Sequence, residues 1–195
     1  MSFAAVYDAC VLYPFEVRDI LMYSAYSRLF RVHWSEEILN ECTRNLIKDG
    51  RATPESMIRM TEGMNQNFRD ANTPREDYEH LVETMTCHKK DRHVLAVAVV
   101  GKTDVIVTYN HGDFPKSSLE PYRIQTLDPD DFVLDVIDLD PELFMKWYHK
   151  MVNRRIERAK KLGLQAPSAE SVATYLAKDP MPKTGECVLD LLTLK

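Results

Sequence analysis

The sequence predicts an α/β protein built on a central parallel sheet. Short apolar runs, too short to be helices, alternate with longer segments of helical spacing. Two of the runs, residues 3–7 (FAAVY) and 104–108 (DVIVT), are apolar on both faces, as strands are when helices cover both sides of a parallel sheet. Polar residues suited to chemistry come directly after these runs: Asp8 after the first, and the 110–113 loop after the second. In parallel sheets ligands bind beyond the carboxyl ends of the strands, where these residues fall.

Each element arises from its local pattern. After the strand at 3–7, Tyr13-Pro14 breaks the chain, and residues 16–30 carry Ile20, Leu21, Leu29 and Phe30 at helical spacing. Residues 31–34 read as a second short strand. Ser35 then offers an N-cap, with Glu36 and Glu37 in the first turn, where the helix dipole favours negative charge. Ile38, Leu39, Cys42 and Leu46 form one face of that helix, and Gly50 ends it. Thr53-Pro54 opens a third helix with Met57, Ile58, Met64 and Phe68 inward; Thr73-Pro74 opens another carrying Tyr78, Leu81 and Val82. Asp91 heads a strongly apolar helix through Val100, stopped by Gly101. Residues 109–115 form a loop rich in turn formers, residues 122–127 a fourth strand, and an Asp-Pro turn comes next. Residues 141–162 read as one long helix closed by Gly163, and residues 168–178 as another. The last residues, CVLDLLTLK, are apolar enough to pack on the body or on a partner. The expected organisation is a domain at 1–138 and a helical extension at 139–195.

Composition narrows the class. A chain of 195 residues with a formal net charge of −5 is long enough for one sizeable core and is not broadly basic. The charge is unevenly spread: residues 141–195 hold 10 basic and 6 acidic side chains, against 15 and 24 in residues 1–140. Such asymmetry fits either a polyanion-facing segment or a solvated helix face. The four cysteines are scattered without a C-x-x-C pair, which favours neither a disulfide framework nor a zinc site. No apolar run reaches membrane-spanning length, and the N-terminus does not read as a signal peptide, so a cytoplasmic protein with no membrane association is expected.

Four carboxylates stand where a site belongs: Asp8, Glu41, Asp91 and Asp113. Each has an ordinary role open to it, as a turn former, a surface helix residue or a cap. Together they suggest a metal centre. Converging carboxylates repel one another and are costly to bury unpaired, and a divalent cation resolves that conflict. Mg²⁺ or Mn²⁺ suits oxygen ligands. Asn110 and Thr108 are supporting candidates near the same strand end.

The order of these signals resembles the PIN-domain ribonucleases, above all the VapC-like toxins of toxin–antitoxin pairs. The matching segments are AVYDACVLYP, WSEEILNECTRNL, KDRHVLAVAVV and DVIVTYNHGDFP, within residues 1–135. Each motif is common alone; four in this order are fairly specific. The resemblance implies a PIN-like three-layer α/β/α fold with a parallel sheet of about four to five strands, plus a C-terminal helical extension. It places the catalytic and metal-binding carboxylates at Asp8, Glu41, Asp91 and Asp113. It further implies one or two Mg²⁺ or Mn²⁺ ions, and in-line attack of a metal-bound water that leaves a 5′-phosphate and a 3′-hydroxyl. The implied substrate is structured RNA such as tRNA, whose cleavage halts translation. The implied partners are a small antitoxin protein and a second copy in a homodimer. The chain departs from many members at Asn110, an amide where an acid is usual.

Secondary candidates are His33, His88, His93 and His111 as general bases or RNA contacts, of which His111 lies inside the acidic loop. Arg92 can touch a phosphate or form an ion pair. Arg154, Arg155 and Arg158 can position RNA through phosphates. Trp147 and Tyr148 can stack on bases or pack in a core. The main rival is a catalytically inactive PIN-like module that binds RNA or serves as a scaffold. A haloacid-dehalogenase-type phosphatase fits poorly, because Cys10 stands where that chemistry needs a second Asp.

Overall fold

A computed structural model describes residues 3–194. In chain order the elements are β1 (Ala4–Tyr7), α1 (Ala9–Leu12), α2 (Phe15–Ala25), β2 (Arg31–His33), α3 (Glu36–Lys48), α4 (Pro54–Asn67), α5 (Arg75–Val82) and α6 (Arg92–Val100). They continue with β3 (Val105–Val107), α7 (Lys116–Leu119), β4 (Gln125–Leu127), α8 (Pro129–Leu139), α9 (Pro141–Lys161), α10 (Ala169–Lys178) and α11 (Pro182–Thr193).

The sheet has the order β2-β1-β3-β4, and every pairing is parallel. This is the expected PIN-like α/β class, with four strands among the described residues. Every residue of the central strands β1 and β3 is fully buried, which is why both read as unbroken apolar runs. Helix α6 packs on both of them. Its Val94 to Ala98 stretch is completely buried. Because β1 has β2 on one side and β3 on the other, the chain direction of the crossovers reverses there. The crevice at the carboxyl ends of β1 and β3 is therefore the natural binding position.

Several local expectations are corrected. The strand expected at 122–127 is confined to Gln125–Leu127, because residues 120–122 form a single 3₁₀ turn and Arg123 adopts a left-handed conformation at φ 58°. The Asp-Pro turn is instead the start of α8: the Asp128 carboxylate accepts a hydrogen bond from the Asp130 N–H at 2.9 Å, and Pro129 occupies the first helical position. The helix expected over 16–30 ends at Ala25, where the Ser27 hydroxyl donates to the Ser24 carbonyl and Arg28 turns to φ 58°. On α4, Met57 and Met64 are buried while Ile58 is 56% exposed, one residue being enough to rotate a side chain by about 100° around a helix.

Contacts group the chain into two compact units. One contains the residues up to Pro14 together with Phe30–Leu127, and holds the whole sheet. The other contains Phe15–Leu29 and the residues from Asp128 onward, and is helical: α2 packs on α8 and α9, and α11 on α8 and α10. Asp130 is buried here and accepts from the backbone N–H groups of Lys183 and Thr184, tying α8 to the start of α11.

The α10–α11 contact depends on Gly185. A Cβ placed there would lie 2.1 Å from the Ala177 nitrogen and 2.8 Å from the Ala173 carbonyl oxygen. These are backbone atoms that cannot rotate away. Gly185→Ala is expected to destabilise the helical unit by about 3 kcal/mol, the upper end of the usual overpacking cost. A urea midpoint equal to wild type would show that the two helices do not approach this closely.

Candidate active site

The crevice beyond β1 and β3 begins with Asp8. Its backbone N–H continues the ladder to the Val107 carbonyl, which sets the residue at the sheet edge. One carboxylate oxygen accepts from the Ala9 N–H at 2.6 Å, capping α1. The other accepts from the Thr108 hydroxyl at 2.7 Å and from the Cys10 thiol at 3.2 Å. Thr108 is fully buried and accepts in turn from the Asn110 N–H at 2.9 Å. Burial and the neighbouring Asp8 charge push the Cys10 thiol up to about 12, so it stays protonated at neutral pH and remains a donor. The side chains that come after the two central strands are thus locked together, with Asp8 at a fixed orientation.

Asp91 and Asp113 come together with His88. Asp91 occupies the N-cap position of α6, yet its carboxylate makes no capping bond. It faces His88 instead, with Oδ2 3.0 Å from Nδ1. The backbone holds this arrangement: the His88 N–H donates to the Asp113 carbonyl at 2.8 Å, and the Asp91 N–H donates to the His88 carbonyl at 2.9 Å. Asp113 closes a 3₁₀ turn over residues 111–113, its N–H donating to the Asn110 carbonyl. Ligand atoms of His88, Asp91 and Asp113 all lie within 4.8 Å of one another.

Glu41 reaches in from α3, one and a half turns past the Ser35 cap. Its Oε2 stands 3.9 Å from Nε2 of the buried His93, too far for a hydrogen bond, and that nitrogen has no hydrogen-bond partner among the described residues. Burial and the charges of Asp8 and Asp91 raise the Glu41 pKa, while His93 and Arg44 oppose the rise. Asp91 is raised by burial and by Asp8 and Asp113, with the His88 contact working the other way. These couplings tie the four carboxylates into one field of negative charge, with Asp91 at its centre.

Such a set fits a divalent cation. The donors are hard oxygens with one imidazole nitrogen, two of the carboxylates resist ionisation through burial and then the charge of the others, and Asp91 forgoes its cap to face the cluster. Among the described residues no cation is placed against these four carboxylates closely enough to form an ion pair, apart from the histidines.

The remaining candidates make contacts of their own. Asn110 is exposed and bonds through its backbone N–H and carbonyl. His111 is exposed and pairs with the Thr126 hydroxyl at 2.9 Å. His33 is buried against Gly101, and burial with the nearby Arg31 lowers its pKa. Arg92 pairs with Glu83 at 3.2 Å. In the helical unit Arg154 and Arg158 are exposed on α9, whereas Arg155 is half-buried, pairs with Asp19 at 2.7 Å and lies over the Phe15 ring. Trp147 stacks on Tyr26 and carries the Lys150 ammonium over its ring, and Tyr148 is buried with its hydroxyl donating to the Ala169 carbonyl. His88 is the residue that sequence reasoning set too low. Its signal was local, a His three residues before an acid that heads a helix.

Fold and site together define an α/β protein whose parallel sheet gathers carboxylates near its carboxyl end, among them a His–Asp–Asp cluster that could hold a metal ion. Over 65 residues, 33% of this chain and 38% of the relative, the sequence is 52% identical to a protein of Mycobacterium tuberculosis (strain ATCC 25618 / H37Rv) named "Putative ribonuclease VapC50". The matched stretch spans well under half of either chain, and it supports a relationship to VapC-type ribonucleases. No family model matches the chain, and no solved structure matches it. No helix among the described residues is long and apolar enough to cross a membrane.

Proposed function

We propose that the protein is a divalent-metal-dependent endoribonuclease, a VapC-like toxin that cleaves structured RNA such as tRNA and so inhibits translation. The observation that carries this reading is the meeting of Asp91 and Asp113 at the sheet edge, in the same field as Asp8 and Glu41. The likeness to a protein named as a ribonuclease supports it.

Asp8, Glu41, Asp91 and Asp113 would hold one or two Mg²⁺ or Mn²⁺ ions. When bound, such an ion acidifies a water and neutralises charge that develops on a scissile phosphate. The chain's own groups do the rest. Thr108, Cys10 and the Ala9 N–H fix the Asp8 carboxylate, so that little reorganisation is needed during reaction. Arg154 and Arg158 contact RNA phosphates in a salt-sensitive way. Residues 139–195 serve as the helical extension of a nuclease domain at 1–138. The protein works in the cytoplasm as a homodimer, and a small antitoxin inserts a cationic side chain into the acidic site.

The test is incubation of the purified chain with total tRNA in Mn²⁺, Mg²⁺ or EDTA, beside Asp8→Asn. Discrete cleavage that disappears in EDTA and in the variant is the expected result. Equal cleavage by both proteins would assign the activity to something other than this site. If neither cuts tRNA or ribosomal RNA in any metal, the catalytically inactive RNA-binding module takes its place.

A further inference from the structure

We propose, resting on the metal-dependent function, that His88 is a direct ligand of the divalent ion, so that the centre is a mixed nitrogen–oxygen site favouring a first-row transition ion over Mg²⁺. Ligand atoms sharing one ion at about 2.0–2.2 Å lie roughly 3–4 Å apart. The His88, Asp91 and Asp113 ligand atoms already lie within 4.8 Å of one another. His88 is pinned by its N–H on the Asp113 carbonyl and by its own carbonyl under the Asp91 N–H, so the ring and both acids are positioned by one hydrogen-bonded loop.

The charge balance points the same way. Asp91 and Asp113 lie together in this cluster, and an imidazole ligand adds a nitrogen donor without adding negative charge. The ring is 50% exposed, which leaves room for an ion to enter and keep its waters. His93, the other imidazole near the site, is buried and faces Glu41 instead. An imidazole nitrogen suits transition ions and adds little for Mg²⁺, which holds oxygen ligands and water. The competing role for His88 is orientation of Asp91 through their 3.0 Å contact, with no bond to the ion.

The experiment is pulsed electron paramagnetic resonance of Mn²⁺ on the full chain, with calorimetric titration of Mn²⁺ and Mg²⁺. Wild type is expected to show modulation from one directly bound imidazole nitrogen. His88→Ala and His88→Gln abolish the modulation, and His93→Ala keeps it. Loss of even an outer partner of a metal ligand costs metal affinity about tenfold or more, so both His88 variants bind Mn²⁺ at least roughly tenfold more weakly, with a smaller change for Mg²⁺. Circular dichroism checks that both variants fold. Mn²⁺ that binds wild type and is lost in Asp91→Asn, but without nitrogen coupling, overturns the ligand role and leaves the metal-dependent function standing. Nitrogen coupling that survives in the His88 variants also overturns the ligand role. Failure of Mn²⁺ to bind wild type at all overturns both.

Discussion

Asp91→Asn lowers RNA cleavage by two to four orders of magnitude and leaves the fold intact. The two halves of this expectation rest on different facts. Asp91 sits where a helix cap would be, but its carboxylate makes no capping bond, so α6 does not depend on it. Its Oδ2 faces His88, and its charge is coupled to Asp8 and Asp113. Replacing the acid by its amide keeps size and shape and removes one charge from the centre of the cluster. Positioned charge stabilisation at a phosphate contributes several kcal/mol, and each 1.36 kcal/mol is a factor of ten, so a loss on the order of 10²–10⁴ is expected. The metal-free variant is at least as stable as wild type at neutral pH, because burial and the neighbouring acids disfavour the ionised form of Asp91. Single-turnover cleavage of a labelled tRNA, read beside thermal unfolding in EDTA, checks both halves. Activity within a few-fold of wild type would remove Asp91 from the site. A large drop in melting temperature would make it a structural residue instead.

Divalent ions are expected to reverse the pH dependence of stability. Asp91 and Glu41 both have folded-state pKa values raised above their ordinary 3.8 and 4.5, chiefly by burial and then by neighbouring carboxylates. For such groups the folded state binds more protons than the unfolded chain between the ordinary and the raised values. Their contribution to stability is full below the ordinary values and is lost as pH rises through the raised ones. In EDTA the cluster therefore weakens the fold as pH rises above these ordinary values. Ion binding needs ionised ligands, so its stabilisation grows in the same direction. At a hundred times its dissociation constant an ion adds about 2.7 kcal/mol, a shift of several degrees for a chain of this size. The measurement is the melting temperature of wild type and Asp91→Asn across pH, with EDTA or with Mn²⁺. A wild-type curve that Mn²⁺ leaves unchanged at neutral pH would contradict the metal site.

Much of the framework was legible because it depends on short-range chemistry. Ser35, Thr53 and Ser168 each cap the helix that their sequence context announces, every one accepting from the backbone N–H three residues on. The central strands show as apolar runs because they are buried on both faces. Asp128-Pro129 misled for a local reason of its own: the pair can begin a turn or a helix, and the residues after it decide between them. Here Phe132, Val133, Val136 and Ile137 supply a buried face at helical spacing.

By itself the sequence determined the α/β class, the parallel sheet, most helix starts, and which carboxylates lie at which element ends. These are properties of a few adjacent residues, set by periodicity, caps and turn chemistry. Tertiary structure alone decided which side chains meet. Thr108 and Asp8 are a hundred residues apart and share a 2.7 Å hydrogen bond because β1 and β3 are neighbours in the sheet. His88 joins Asp113 through a backbone bond spanning 25 residues, which no local pattern records. The grouping of Phe15–Leu29 with the residues from Asp128 onward is also long-range, since the apolar faces of α2, α8 and α9 can be matched only once all three have formed. Local free energy chooses the elements; burial of distant faces against one another chooses the site.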